Sequence, residues 1–226
     1  MMRRALLLAM LTAPALAQQV LYQPLPPAGS AYLRIANGTG EPLRVGALNP
    51  GTLTTGMLTL GTGTAQRISP YAVQLEVAGR PVALALSAGA ARGEASLPLQ
   101  PGSFNTLVVL ATGAALRVVP LVDETQFNQT RARLTFYNAT ANCAGGGLAL
   151  DPAGQAVFAD VAPGAARMRS VNPVSAQVRV GCDAARSPAF ALGGLEAGGQ
   201  YSIWLMAPAG QPIGFVTRDT TAPWTR

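Results

Sequence analysis

Two stretches of this chain repeat one another about 100 residues apart, in three blocks that keep the same order. The first block pairs Ala31-Tyr32-Leu33-Arg34-Ile35-Ala36-Asn37 with Ala132-Arg133-Leu134-Thr135-Phe136-Tyr137-Asn138. Strand alternation puts Ala31, Leu33 and Ile35 on one face and Ala132, Leu134 and Phe136 on its equivalent, with Arg34 or Thr135 opposite. The second block pairs Pro70 to Val77 with Pro173 to Val180, again alternating. The third pairs Leu99-Gln100-Pro101-Gly102 and the run Leu107 to Leu110 with Leu195-Glu196-Ala197-Gly198 and Ile203 to Met206. Each copy then makes a turn, a returning strand and an acid, Asp123 or Asp219.

Each copy offers about seven short strands spaced roughly 8–12 residues apart, the layout of an antiparallel sandwich. The 25 Gly and 18 Pro favour strands and turns over helices. The expected fold is therefore all-β, two tandem antiparallel β-sandwich domains related by internal duplication. The expected divisions are a signal peptide at 1–17, an extended arm at 18–30, a first domain at 31–122, a linker at 123–130, a second domain at 131–220 and a tail at 221–226.

The leader reading rests on Arg3 and Arg4, the apolar run Ala5 to Leu11 and the small-x-small site Ala15-Leu16-Ala17. Pro24, Pro26 and Pro27 deny the arm ladder donors and keep it extended. The next most apolar stretch, Thr106 to Val119, is interrupted by Thr112-Gly113 and Arg117 and falls short of the roughly 20 residues of a spanning helix. Export implies an oxidising compartment, so Cys143 and Cys182 are expected to pair. Closing a loop of about 40 residues constrains the unfolded chain by roughly 4 kcal/mol in the chain-entropy treatment.

All 16 basic residues are Arg, and there is neither Lys nor His. Without His, the usual base of a Ser-His-Asp hydrolase or acetyltransferase is missing. Without Lys, Ser-Lys and Schiff-base chemistry are closed as well. Removal of the leader leaves 14 Arg against 10 acids, spread along the chain rather than clustered, which speaks against nucleic acid. No cofactor or metal site is expected.

The densest acidic spot, Asp123-Glu124, falls in the expected linker and reads as a solvated connector rather than a catalytic pair. Gly61-Thr62-Gly63 and Gly145-Gly146-Gly147 lack the strand-to-helix setting of a phosphate loop and read as hairpin or loop glycines. The three N-x-T triplets, at Asn37, Asn128 and Asn138, match the glycosylation pattern but read as turn residues, two of them at equivalent positions of the repeat. Arg131 with Arg133, and Arg167 with Arg169, alternate along strands. Each pair either presents forks to the carboxylates of a uronate polymer or serves as the polar face of a Lys-free sheet.

The run Leu21-Tyr22, then Pro26-Pro27-Ala28-Gly29-Ser30-Ala31-Tyr32-Leu33-Arg34 and Asn37, resembles the opening of AlgF-type alginate biosynthesis proteins. Phe127-Asn128 leading to Arg131 and Tyr137-Asn138 resembles the start of that family's second domain, and Val171-Asn172-Pro173-Val174 a later part of it. The likeness implies a periplasmic, non-catalytic protein required for exopolysaccharide O-acetylation. It implies as partners periplasmic acetyltransferases and a membrane-bound O-acyltransferase, with the polysaccharide itself as a further candidate. The arm has no counterpart before the second copy, so its apolar Leu21, Tyr22 and Leu25 either contact a partner or fold back over an exposed edge of the first domain. With Arg34 they are the candidate partner contacts, and Arg131, Arg133, Arg167 and Arg169 the candidate polymer contacts. The absence of Lys and the presence of Cys143 and Cys182 depart from the family pattern, and related accessory proteins occur in cellulose acetylation.

Overall fold

The computed structural model describes residues 26–48, 56–125 and 128–224. The described residues are almost all β, with a single 3₁₀ turn at Thr64–Gln66, and none forms a helix long and apolar enough to cross a membrane. The leader and the arm residues Leu21, Tyr22 and Leu25 lie outside the described residues.

The first half contributes β1 (Ala31–Asn37), β2 (Leu43–Ala47), β3 (Leu58–Leu60), β4 (Ala72–Gln74), β5 (Val82–Ala88), β6 (Ala91–Leu97), β7 (Phe104–Thr112) and β8 (Ala115–Asp123). They form one sheet in the order β3-β2-β5-β6-β8-β7-β1-β4. Strands β6 and β8 meet only at Arg92 and Ala115, and the sheet curls there so that Leu33, Ile35, Leu43, Leu84, Leu86 and Leu107 share one apolar cluster.

The second half contributes β9 (Ala132–Ala139), β10 (Gly146–Leu150), β11 (Ala156–Val161), β12 (Ala166–Val171), β13 (Gln177–Cys182), β14 (Ala185–Arg186), β15 (Phe190–Ala191), β16 (Gln200–Met206) and β17 (Ile213–Arg218). One sheet runs β11-β10-β13-β14 with β15 also on β13, and the other runs β12-β9-β16-β17. The order parallels that of the first half, down to the parallel neighbours β1–β7 and β9–β16, but the second half is split into two sheets and β15 has no counterpart. The parallel registers agree as well: Leu107 lies opposite Ile35, and Ile203 opposite Phe136.

Two expectations change. Ala72–Gln74 form β4, on the edge beside β1, whereas Val178 and Val180 belong to β13, which occupies the place of β5. Alternating apolar residues alone do not separate an edge strand from a central one, so the two members of the second block are not structural equivalents. Asp123 is the last residue of β8 rather than part of a linker, opposite Phe104.

The faces expected to point at solvent from β1 and β9 are also covered. All eight residues of β9 are buried. Ala36, Val108 and Leu110 of the first half pack against Tyr137, Ala139, Trp204, Met206 and Phe215 of the second in a third apolar cluster. Trp204, fully buried and stacked on Tyr137 at 4.4 Å, anchors it. An aromatic of that size removes roughly 200 Å² from water, worth about 5 kcal/mol by area. The chain after β17 adds a backbone clasp: Tyr71 N–H donates to Thr220 O at 2.8 Å, and Ala222 N–H to Tyr71 O at 2.7 Å.

The expected disulfide is present: Cys143 and Cys182 are bonded, with Cα atoms 5.5 Å apart, tying the loop before β10 to the end of β13. It points to an oxidising compartment outside the cytoplasm.

Candidate functional site

Between the halves lies a polar cluster centred on Arg34. The side chain leaves the middle of β1 toward the second half, and the residue is buried. Its Nε donates to Thr106 Oγ1 at 2.7 Å, Nη1 to Asp219 Oδ1 at 2.7 Å, and Nη2 to the Tyr137 hydroxyl at 2.7 Å and Ser202 Oγ at 2.9 Å. The guanidinium also lies 4.5 Å from the Tyr71 ring centre and 5.1 Å from those of Tyr137 and Trp204. A buried charge costs several kcal/mol unless it is paired and hydrogen-bonded. Here its donors meet hydroxyls and one carboxylate, and aromatic faces supply the rest.

The parallel ladders explain the convergence. Thr106 sits opposite Arg34 on β7, and Ser202 opposite Thr135 on β16, so the halves offer equivalent hydroxyls. Each half also places an acid where its last strand ends: Asp123 is the final residue of β8, and Asp219 directly follows β17. Asp123 accepts from Tyr71 at 2.9 Å, Thr106 at 2.5 Å and Tyr137 at 2.5 Å. Asp219 accepts from Arg34 and, at 2.6 Å, from Ser202. Burial by itself would lower the Arg34 pKa, but Tyr137, Asp219, Tyr71 and Asp123 outweigh it and hold the guanidinium above its ordinary range. Burial, opposed by Arg34 and reinforced by Asp123, keeps the Tyr71 and Tyr137 hydroxyls protonated well above the usual tyrosine range. They therefore remain donors.

Beside this cluster opens a cleft of about 440 Å³, lined by Tyr71, Phe104, Asp123 and Thr125 from the first half and its exit, and by Arg133, Gln200, Arg218 and Asp219 from the second. Arg133 reaches it from β9. Its Nη2 donates to Gln200 Oε1 at 2.6 Å and lies 3.8 Å from Asp219 Oδ2, and its Nη1 donates to Glu124 O.

The residues singled out in the sequence are scattered by the fold. Arg34, a candidate partner contact, is buried within the chain and offers no outer surface; its sequence setting, an Arg in an apolar strand, carries no sign of which side is covered. Arg131 is exposed ahead of β9, its Nε 3.3 Å from Asn172 Oδ1, while Arg133 is buried, so the two do not form one exposed fork. Arg167 and Arg169, exposed on β12, donate to Ala159 O at 3.0 Å and Val157 O at 3.1 Å on β11. They cap carbonyls of an edge strand, a use that blunts edge pairing.

Asn37 and Asn138 are buried at the ends of β1 and β9. The Asn37 amide donates to Glu41 O and Gly61 O, and the Asn138 amide to Cys143 O at 2.9 Å and Val161 O at 2.8 Å. Their oxygens accept from Thr39 and Thr140, so the N-x-T pattern here is a turn lock. Gly146 belongs to this packing, because a Cβ there would meet Asn138 Nδ2 at 2.6 Å. Asn128 is exposed and accepts from Thr130 N–H at 2.9 Å in the same local turn.

The Asp123–Arg34–Asp219 cluster was not assembled from the sequence. The signal that existed was the acid closing each copy at the same place.

No family model matches the chain, and no curated protein matches it.

Proposed function

We propose that this chain is a non-catalytic periplasmic accessory protein of exopolysaccharide O-acetylation, acting on alginate or a similar polymer such as cellulose. In this reading it is a scaffold that holds periplasmic acetyltransferases beside a membrane-bound O-acyltransferase, and its halves are tandem β-sandwich domains that arose by duplication. Support for the duplication is the shared strand order and the equivalent placing of Asn37 with Asn138, Thr106 with Ser202, and Asp123 with Asp219.

The observation that carries the non-catalytic reading is the use made of the two acids. Asp123 accepts three hydroxyl bonds, and Asp219 accepts from Arg34 and Ser202. Fixed donors occupy both oxygens of Asp123, and Asp219 is tied through Oδ1 to the Arg34 guanidinium, which makes each a poor general base, and no His or Lys exists to replace them. The same cluster joins the halves, as a scaffold with a fixed spacing between its binding faces requires. The cleft beside Arg133 favours a second role, a module that keeps the polymer near the acetyltransferases.

Deleting the gene in a producing strain should leave the polymer made but unacetylated, and the tagged mature chain should retain acetyltransferases on affinity purification. Turnover of a chromogenic acetyl ester, or acetyl transfer to oligosaccharides, that tracks the pure protein would overturn the reading.

A further inference from the structure

We propose that the cleft between the halves binds a neutral, hydroxyl-bearing sugar ring. The proposal rests on the accessory reading only for the choice of a polysaccharide fragment as probe. The site exists only where both halves meet, and its volume falls within the roughly 300–1,000 Å³ of small-molecule sites.

Its polar wall is incomplete within the chain. Arg133 and Asp219 both line the cleft with side chains 9% and 5% exposed. Arg133 Nε and Asp219 Oδ2 are buried and have no hydrogen-bond partner among the described residues. One lacks an acceptor and the other lacks a donor. Neighbouring sugar hydroxyls meet both needs, because each carries one donor and two acceptor lone pairs.

Charge sets the class of sugar. Asp123 and Asp219 both face the cleft, Arg34 is already bonded to Asp219, and Arg218 at the rim is bonded to Glu196 at 2.8 Å. Arg133, the remaining cation of the cleft, lies 3.8 Å from Asp219, so a uronate carboxylate, which only accepts, would compete with Asp219 for it and would stand beside two acids. The apolar wall is supplied by Phe104, half-buried and held in place by Tyr32 stacked at 4.2 Å and by the buried Tyr71 edge to face at 5.1 Å, against which the C–H face of a pyranose can pack.

Calorimetric titration of the mature chain with cellotetraose and with tetramannuronate tests this. The expected result is saturable binding of the neutral tetrasaccharide at or below about 1 mM, with tetramannuronate at least tenfold weaker. Thr125→Trp, which fills the cleft from an exposed position, should weaken binding at least tenfold without moving the thermal midpoint. Arg133→Gln should do the same to binding. No saturation by the neutral sugar at about 10 mM, equal or tighter binding of the uronate, or full binding by folded Thr125→Trp would each overturn the proposal. Lost polymer acetylation in the deletion strain together with no sugar binding sinks this inference alone. Sugar binding with acetylation intact in that strain sinks the accessory reading alone.

Discussion

Arg34 and Asp219 stand 185 residues apart in the chain and 2.7 Å apart in space, with side chains 2% and 5% exposed. This ion pair bridges the halves where the repeat brings equivalent hydroxyls and acids together. It exists in one copy of the unit only, since Thr135 occupies the matching position on β9. The first half supplies the one arginine and each half supplies an acid, so a single guanidinium is held by the charges of both Asp219 and Asp123.

Removing one member of that pair strands a buried charge, which costs about 3–5 kcal/mol. Arg34→Met should therefore lower the thermal midpoint by roughly 6–20 °C, at about 2–4 °C per kcal/mol for a chain of this size. Asp219→Asn should cost less, because an amide oxygen still accepts from Ser202. In a double-mutant cycle the two changes together should cost less than their sum, by at least about 1 kcal/mol. Strict additivity would mean that the pair does not act as a unit.

The strand pattern, the turns and the disulfide were legible in the sequence because each depends on local periodicity or on residue type. Alternation identified the inward faces of β1 and β9 through Leu33, Ile35, Leu134 and Phe136, all now buried. It said nothing about their outward faces, because Arg34, Ala36, Thr135 and Tyr137 are covered by the other half, an event that lies outside any single strand. For the same reason Asp123 read as a solvated connector: its partners Tyr71, Thr106 and Tyr137 come from three other parts of the chain. Arg167 and Arg169 read equally well as ligands or as a polar face, and only the position of β11 shows what they touch.

The bond between Cys143 and Cys182 closes 39 residues of the second half. Reducing it, or replacing both residues with Ser, should cost about 4 kcal/mol in the chain-entropy treatment. A fall in thermal midpoint of roughly 8–16 °C is expected. Titration of denatured, unreduced protein should find no free thiol. Two reactive thiols there, or an unchanged midpoint after reduction, would count against the bond as a stabilising link.

Asn138 should matter as a turn lock and not as a glycan acceptor. Asn138→Ala leaves Cys143 O and Val161 O without their donor, and buried unsatisfied groups cost about 1–3 kcal/mol each. A loss near 3 kcal/mol, or roughly 6–12 °C in the midpoint, is expected. Asn37→Ala removes the donor to Gly61 O but leaves Glu41 O its bond from Thr39 Oγ1, and should cost less, about 1–3 kcal/mol. Stability unchanged in both variants would remove the lock.

Alkaline pH should act on the joint between the halves through Tyr71 and Tyr137. Burial and Asp123 raise both hydroxyls above the ordinary tyrosine value near 10, so above that pH the folded chain holds protons that the unfolded chain has released. Where the folded state binds more protons, stability falls as pH rises. The contribution of these tyrosines is thus complete below about pH 10 and is lost above it, at up to about 2.7 kcal/mol per pH unit for the two together. Thermal midpoints measured from neutral pH upward should be level and then drop past about pH 10, with the tyrosinate absorbance of these two residues appearing only as the chain unfolds. Tyr137→Phe removes one of the two titrating groups and should reduce the slope of that decline by about half, whatever it does to stability at neutral pH. A slope unchanged by Tyr137→Phe would place the alkaline sensitivity elsewhere in the molecule.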